Sequence, residues 1–100
     1  PSYVRGFFVD RPPRSPVAQA EATLARLLID GHARWTGIPY IRRSTEDSRD
    51  YYGFRTVDAM TPIVLIETGC LTNAADRAII YGQPWVVADG LAPAIERFLF

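Results

Sequence analysis

One run of residues constrains this chain more than any other: Thr61-Pro62-Ile63-Val64-Leu65-Ile66-Glu67-Thr68-Gly69. Its apolar residues are consecutive, so the period-2 alternation of a strand with one wet face is missing. It is far shorter than the ~20 residues of a membrane helix. Rich in β-branched residues and bounded by Pro and Gly, it reads as a strand buried on both faces, as at the centre of an α/β sheet. The strand ends on a carboxylate. Open α/β sheets gather ligands at the carboxyl ends of their strands, which makes Glu67 the first candidate functional residue. The plainer roles for it are a solvent-facing strand end or an acid capping a helix.

The rest of the chain supplies cover for such a strand. Tyr3–Val9 is β-branched and aromatic and reads as another strand. Ser15-Pro16 is a helix start, since Ser caps and Pro suits the first turn. Val17, Ala20, Leu24, Leu27 and Leu28 then recur at helical spacing, and Gly31 is the expected stop. Ile38–Ile41 predicts a short strand, residues 42–53 a solvated polar loop, and Phe54–Val57 a short extended piece. Asn73 predicts the cap of a helix running through Asp76 to about Tyr81. A closing helix over Trp85–Phe98 places Val87, Leu91, Ala94, Ile95 and Phe98 on one face, with Pro93 bending it. The order β, α, β, β, α, α gives an α/β class: a mixed sheet covered by helices in one domain, residues 1–100.

Composition excludes several functions. Eleven basic residues balance eleven acidic ones, which gives no support to a nucleic-acid or anionic-membrane binder. Every basic residue is Arg, so Schiff-base and P-loop lysine chemistry is out. The all-Arg composition itself fits coding bias. No apolar run is long enough to span a membrane. A single cysteine rules out an intramolecular disulfide framework, a CxxC dithiol and a multi-cysteine metal site.

The remaining chemical candidates are sparse. His32 is the only histidine, and a lone His after a helix reads as a surface or capping residue. A catalytic zinc needs about three protein ligands. Asp30, His32 and Glu46 would meet only by accident of folding. Cys70 reads as a small packing residue, and a Cys70–His32 nucleophile pair is the weakest enzymatic reading. Tyr51, Tyr52 and Phe54 lie beside Arg49 and Arg55, as in a stacking platform, although sealing a sheet edge is the commoner use. Trp35 and Trp85 read as core or domain-contact residues.

The stretch from Thr61 to Phe100 carries a more specific pattern. Pro62, Val64, Leu65, Ile66, Glu67, Gly69, Leu71, Thr72 and Asn73 fit P-x-[VI]-L-[VI]-E-x-G-F-[LI]-[ST]-N. Asp76 fits an acidic position that follows, and Ala88, Leu91, Ala92 and Ile95 fit a closing helix. This resembles the C-terminal end of the zinc-dependent N-acetylmuramoyl-L-alanine amidases, the peptidoglycan hydrolases of cell separation, sporulation and phage lysins. Upstream, Gly6, the strand at Phe7, Ser15 and the helix through Leu28 are similar in layout only.

The resemblance implies a partial catalytic domain with a three-layer, phosphorylase/hydrolase-like fold. It implies an enzyme that cleaves the amide between muramic acid's lactyl group and L-alanine. In such enzymes the Glu of this motif, here Glu67, assists a zinc-bound water, whose pKa the metal lowers toward ~7. It also implies a cell-envelope location, periplasmic or extracellular, or a phage-encoded lysin. The family's zinc ligands, two His and a Glu, lie upstream of the motif in D-x-G-H-G and S-x-H-x-N elements. Both elements are absent here, and His32 stands where the family has no ligand. Cys70 replaces a Phe, and Arg42-Arg43 lacks the Gly of an Arg-Gly pair. The ligands are therefore expected outside this chain, on a missing N-terminal half. Half a sheet exposes an unpaired edge, so that half or a second copy is the expected partner beside peptidoglycan. The alternative is a non-catalytic amidase-like module that binds muropeptide or a protein.

Overall fold

The computed structural model describes residues 5–42 and 46–100. Seven elements follow in chain order: β1 (Phe8–Asp10), α1 (Ala18–Thr36), α2 (Glu46–Arg49), α3 (Gly53–Thr56), β2 (Leu65–Glu67), α4 (Ala74–Gly82) and α5 (Pro84–Leu99). Helices surround a small sheet, so the class is α/β. β1 and β2 pair antiparallel, with Phe8 opposite Glu67, Val9 opposite Ile66 and Asp10 opposite Leu65. Phe7 adds a parallel bridge to Tyr40 on the far side of β1. The Phe7 N–H donates to the Pro39 carbonyl and the Ile41 N–H donates to the Phe7 carbonyl. The sheet is thus mixed in sense but narrow among the described residues.

Helix α1 is the frame of the molecule, and it corrects the expected stop at Gly31. It runs on to Thr36 and ends at Gly37, whose φ of 70° is left-handed and whose N–H caps the Ala33 carbonyl. Gly31 serves a different purpose. α1 packs chiefly on α5, and a Cβ at Gly31 would stand 2.3 Å from the Gly90 carbonyl oxygen. A Cβ at Gly90 would stand 2.7 Å from the Gly31 oxygen. The two glycines let the helix backbones touch. At the other end α1 begins at Ala18 and not at Ser15-Pro16: Val17 is the N-cap with no side-chain cap bond, and the Ser15 hydroxyl accepts the Val17 N–H ahead of the first turn.

The buried stripe of α1 is also not the expected one. It consists of Glu21, Ala25, Leu28, His32 and Thr36, at helical spacing but with three polar members. Val17, Ala20, Leu24 and Leu27 are only half-buried. Among the described residues the largest fully buried side chains are Phe7, Ile38, His32, Glu21 and Asp76, an unusually polar set for so small a core.

Other expectations shift locally. Strand β1 is shorter than Tyr3–Val9, and Tyr3 and Val4 lie outside the described residues, as does Arg43. The Ile38–Ile41 strand is reduced to its bridge at Tyr40. Phe54–Val57 is not extended: residues 53–56 form α3, because the N–H groups of Phe54 and Arg55 turn back onto the carbonyls of Tyr51 and Tyr52. The central run forms β2 over only Leu65–Glu67, and Ile63–Ile66 are half-buried, not enclosed on both faces.

The cap at Asn73 holds as expected. Its side chain accepts from the N–H of Ala75 and of Asp76. Pro84 opens α5 at a position that needs no N–H donor, and Pro93 lies inside without ending the helix. On α5 the buried positions are Gly90 and Ala94, whereas Ile95 is exposed. Trp35 and Trp85 are not core residues either, at 54% and 60% exposure.

Candidate functional site

The segment from Ile63 to Cys70 is held by three buried carboxylate or imidazole groups, and Glu67 stands in the middle of it. On α1, Glu21 and His32 are eleven residues apart, three turns of helix, so both face the segment. Glu21 is 1% exposed, and its Oε2 accepts the Ile63 N–H at 3.0 Å. His32 is fully buried, and its Nε2 lies 2.8 Å from the Thr68 carbonyl oxygen. A carbonyl only accepts, so Nε2 carries the proton and Nδ1 is the bare nitrogen. Burial pushes the His32 pKa below its ordinary value of 6.5, against the opposing pull of the Thr68 hydrogen bond. The ring also meets Phe7 edge-on, with centroids 4.5 Å apart.

The third group is Asp76, in the first turn of α4 and fully buried. Its Oδ2 accepts the N–H of Gly6 at 2.9 Å and of Cys70 at 3.0 Å. Its Oδ1 accepts from Arg5 Nε at 2.7 Å. Burial alone would raise its pKa, but the Cys70 and Gly6 N–H groups and the Arg5 guanidinium together hold it below 3.8. One carboxylate therefore ties the start of β1 to the loop after β2.

Several residues of this stretch have a structural task in the arrangement. Asn73 caps α4 and Asp76 is the tie. Gly69 leaves room for Ile80, whose Cδ1 would lie 2.7 Å from a Cβ at that position. Cys70 offers its N–H to Asp76, while its half-buried thiol lies 3.9 Å from the Thr72 hydroxyl. Glu67 differs. Its backbone pairs with Phe8, its side chain is exposed, and its carboxylate has no hydrogen-bond or ion-pair partner among the described residues.

The other candidates separate. His32 is neither a surface nor a capping residue. Its Nε2 is occupied by Thr68, and its Nδ1 is buried without a hydrogen-bond partner among the described residues, so no Cys70–His32 pair forms. Among the described residues no three His, Cys, Asp or Glu side chains stand together as a metal site. Tyr51 packs on Tyr52 and Phe54 at 5.2 and 5.5 Å between centroids, and Arg55 pairs with Asp50 at 2.7 Å. These aromatics thus pack on one another. No helix of the described chain is long and apolar enough to cross a membrane.

Sequence reasoning missed Glu21 and Arg5. For Glu21 a signal existed: it continues the Ala25–Leu28–His32–Thr36 stripe one turn earlier, provided polar residues are allowed into the pattern. For Arg5 there was none. Comparison with protein-family models, with curated proteins and with solved structures gives no match to this chain.

Proposed function

We propose that this chain is part of a peptidoglycan hydrolase that cleaves the amide between N-acetylmuramic acid and L-alanine, with Glu67 as its general base and acid. The observation that carries the reading is the contrast at the strand end. The backbone around Glu67 is fixed at Ile63, Thr68 and Cys70 by buried side chains, yet the Glu67 carboxylate is exposed and has no partner among the described residues. A carboxylate that must move protons needs a rigid base and free oxygens. In this reading the Glu67 carboxylate takes a proton from an attacking water. It then returns that proton to the leaving amine of the L-alanine, which balances the hydrolysis.

The described residues do not assemble a zinc site. The metal belonging to the reading is held by residues outside those described, and the chemistry assigned to this chain is the proton traffic at Glu67. The three-layer amidase-like fold, a cell-envelope or phage-lysin setting and a partner along the edge of β2 that is unpaired among the described residues belong to the same proposal.

The test is release of stem peptide from purified peptidoglycan by the zinc-loaded parent protein carrying Glu67→Gln. General acid–base groups contribute about 10²–10⁴-fold, so turnover is expected to fall at least 100-fold with folding intact. Unchanged turnover removes Glu67 from the mechanism. Muropeptide binding by a parent with no turnover in either form replaces the enzyme by a wall-binding module.

A further inference from the structure

A second feature lies apart from Glu67. At the other end of β1 a cavity of about 560 Å³ opens between β1, α1 and the segment after Tyr40. That volume falls in the range of small-ligand sites. Phe8 pairs with Glu67, whereas Asp10 lines the cavity, so the two places are two residues apart along the strand, about 7 Å. Glu67 does not line the cavity.

The wall of the cavity is charged, although the chain as a whole is neutral. Among the described residues, Arg11, Arg26, Arg42 and Arg49 line it against one carboxylate, Asp10. They come from four separate segments: the loop after β1, the middle of α1, the segment after Tyr40, and α2. Asp10 is engaged, since its Oδ2 accepts the Ser48 hydroxyl. Arg11 donates to the Ala18 carbonyl at 3.3 Å. Arg26 and Arg42 have no hydrogen-bond or ion-pair partner among the described residues. Guanidinium groups bind carboxylates bidentately, and two of them at one cavity with no acidic partner among the described residues is the imbalance a ligand would correct.

The floor says what else the ligand carries. Ala18, Ala22 and Ala25 give α1 a smooth, shallow face there, and Tyr40 adds a ring. Tyr40 and Arg42 are two apart and both line the cavity, while Ile41 between them packs over Gly6. A single phosphate would leave most of this space empty. A chain bearing several carboxylates on a compact body fits both the spread of charge and the small-residue floor.

We propose that this cavity binds a short acidic peptide, its carboxylates paired with Arg26 and Arg42 and its body laid along the alanine face of α1. The site stands independently of the hydrolytic reading. Titration calorimetry of the full chain tests it with three probes: the blocked tripeptide Ala-Glu-Glu, its neutral counterpart Ala-Gln-Gln, and inorganic phosphate. Ala-Glu-Glu is expected to bind at least tenfold more tightly than either of the others, and more weakly as salt rises. Arg26→Gln with Arg42→Gln should lower its affinity at least tenfold. Arg97→Gln, on the far helix, should not. Both arginines are exposed, so circular dichroism should show the double variant folded as the parent chain. Equal binding of Ala-Gln-Gln, equal or tighter binding of phosphate, or an equal loss in Arg97→Gln each overturns the proposal. If the double variant unfolds, Arg26→Lys, which keeps the charge but loses the bidentate fork, decides instead: full retention of affinity refutes the arginine contact.

Discussion

The strand end around Glu67 and the crossing of α1 with α5 are built by opposite means. At the strand end, buried polar side chains reach backbone groups: Glu21 to Ile63, His32 to Thr68, Asp76 to Cys70 and Gly6. At the crossing, side chains are removed altogether, and Gly31 meets Gly90 backbone to backbone. The first arrangement specifies one loop geometry and depends on protonation. The second tolerates any pH and no added atom. A site that must place one carboxylate needs the first kind, and the helix pair behind it needs only the second.

The largest test of that difference is Asp76→Ala. It leaves the N–H groups of Gly6 and Cys70 and the Arg5 guanidinium without their acceptor. Asp76 is fully buried, and each buried donor left without its acceptor costs about 1–3 kcal/mol, whereas Arg5 is 40% exposed and turns to water, so the loss comes chiefly from the two N–H groups. Chemical denaturation should show a loss of that size. A loss under about 1 kcal/mol would mean that water satisfies the same donors and the tie is not structural.

At the crossing, Gly31→Ala sets two effects against each other. Alanine improves helix propensity by about 1 kcal/mol. Its Cβ would stand 2.3 Å from the Gly90 oxygen, and backbone cannot swing aside as a long side chain can. Overpacking of this kind costs about 1–3 kcal/mol, so the clash wins and the variant is less stable. Gly90→Ala meets the same contact from the other side. The double variant should therefore cost less than the two singles added, because the helices need to separate only once. Additive losses would separate the two glycines into independent sites.

The pH dependence sharpens the comparison further. Folded His32 has a lowered pKa, so below 6.5 the unfolded chain binds a proton that the folded chain resists. Stability is therefore full above 6.5 and falls as the pH drops beneath it, by at most about 1.4 kcal/mol per pH unit for one group. Asp76 is also lowered, from 3.8, so its stabilisation is present above that pH and lost as the pH falls through the depressed value. Denaturation across pH 3–8 should show both limbs. His32→Gln should remove the upper limb and keep the lower, and its persistence would assign that limb to another group.

What the sequence made legible divides along the same line. The α/β class, the Asn73 cap and the long helices follow from patterns that act locally, such as helical period and a capping amide. Gly31 misled because a glycine in a helix has two meanings, a stop or a close approach, and only the partner helix distinguishes them. The α1 stripe misled because Glu21 and His32 are polar, and a hydrophobicity pattern discards them. Their burial is decided by backbone groups at Ile63 and Thr68, 42 and 36 residues away. Glu67 was legible as a carboxylate ending an apolar run, and it does end β2. The rigidity of its setting was not, because every group that confers it comes from another element.

The smallest structural effect is expected at Glu67 itself, and that smallness is the point. Its side chain is exposed, and its carboxylate has no partner among the described residues, so Glu67→Gln removes no interaction seen in the fold. Surface changes of this kind lie within about 0.5 kcal/mol. Denaturation of the variant should overlay that of the parent chain, in contrast to Asp76→Ala a few residues on. The pairing of results is informative in a way neither is alone. Unchanged stability with lost turnover separates the residue that moves protons from the residues that hold it. A loss of stability approaching that of Asp76→Ala would instead make Glu67 one more structural carboxylate, and the proposed hydrolysis would lose its base.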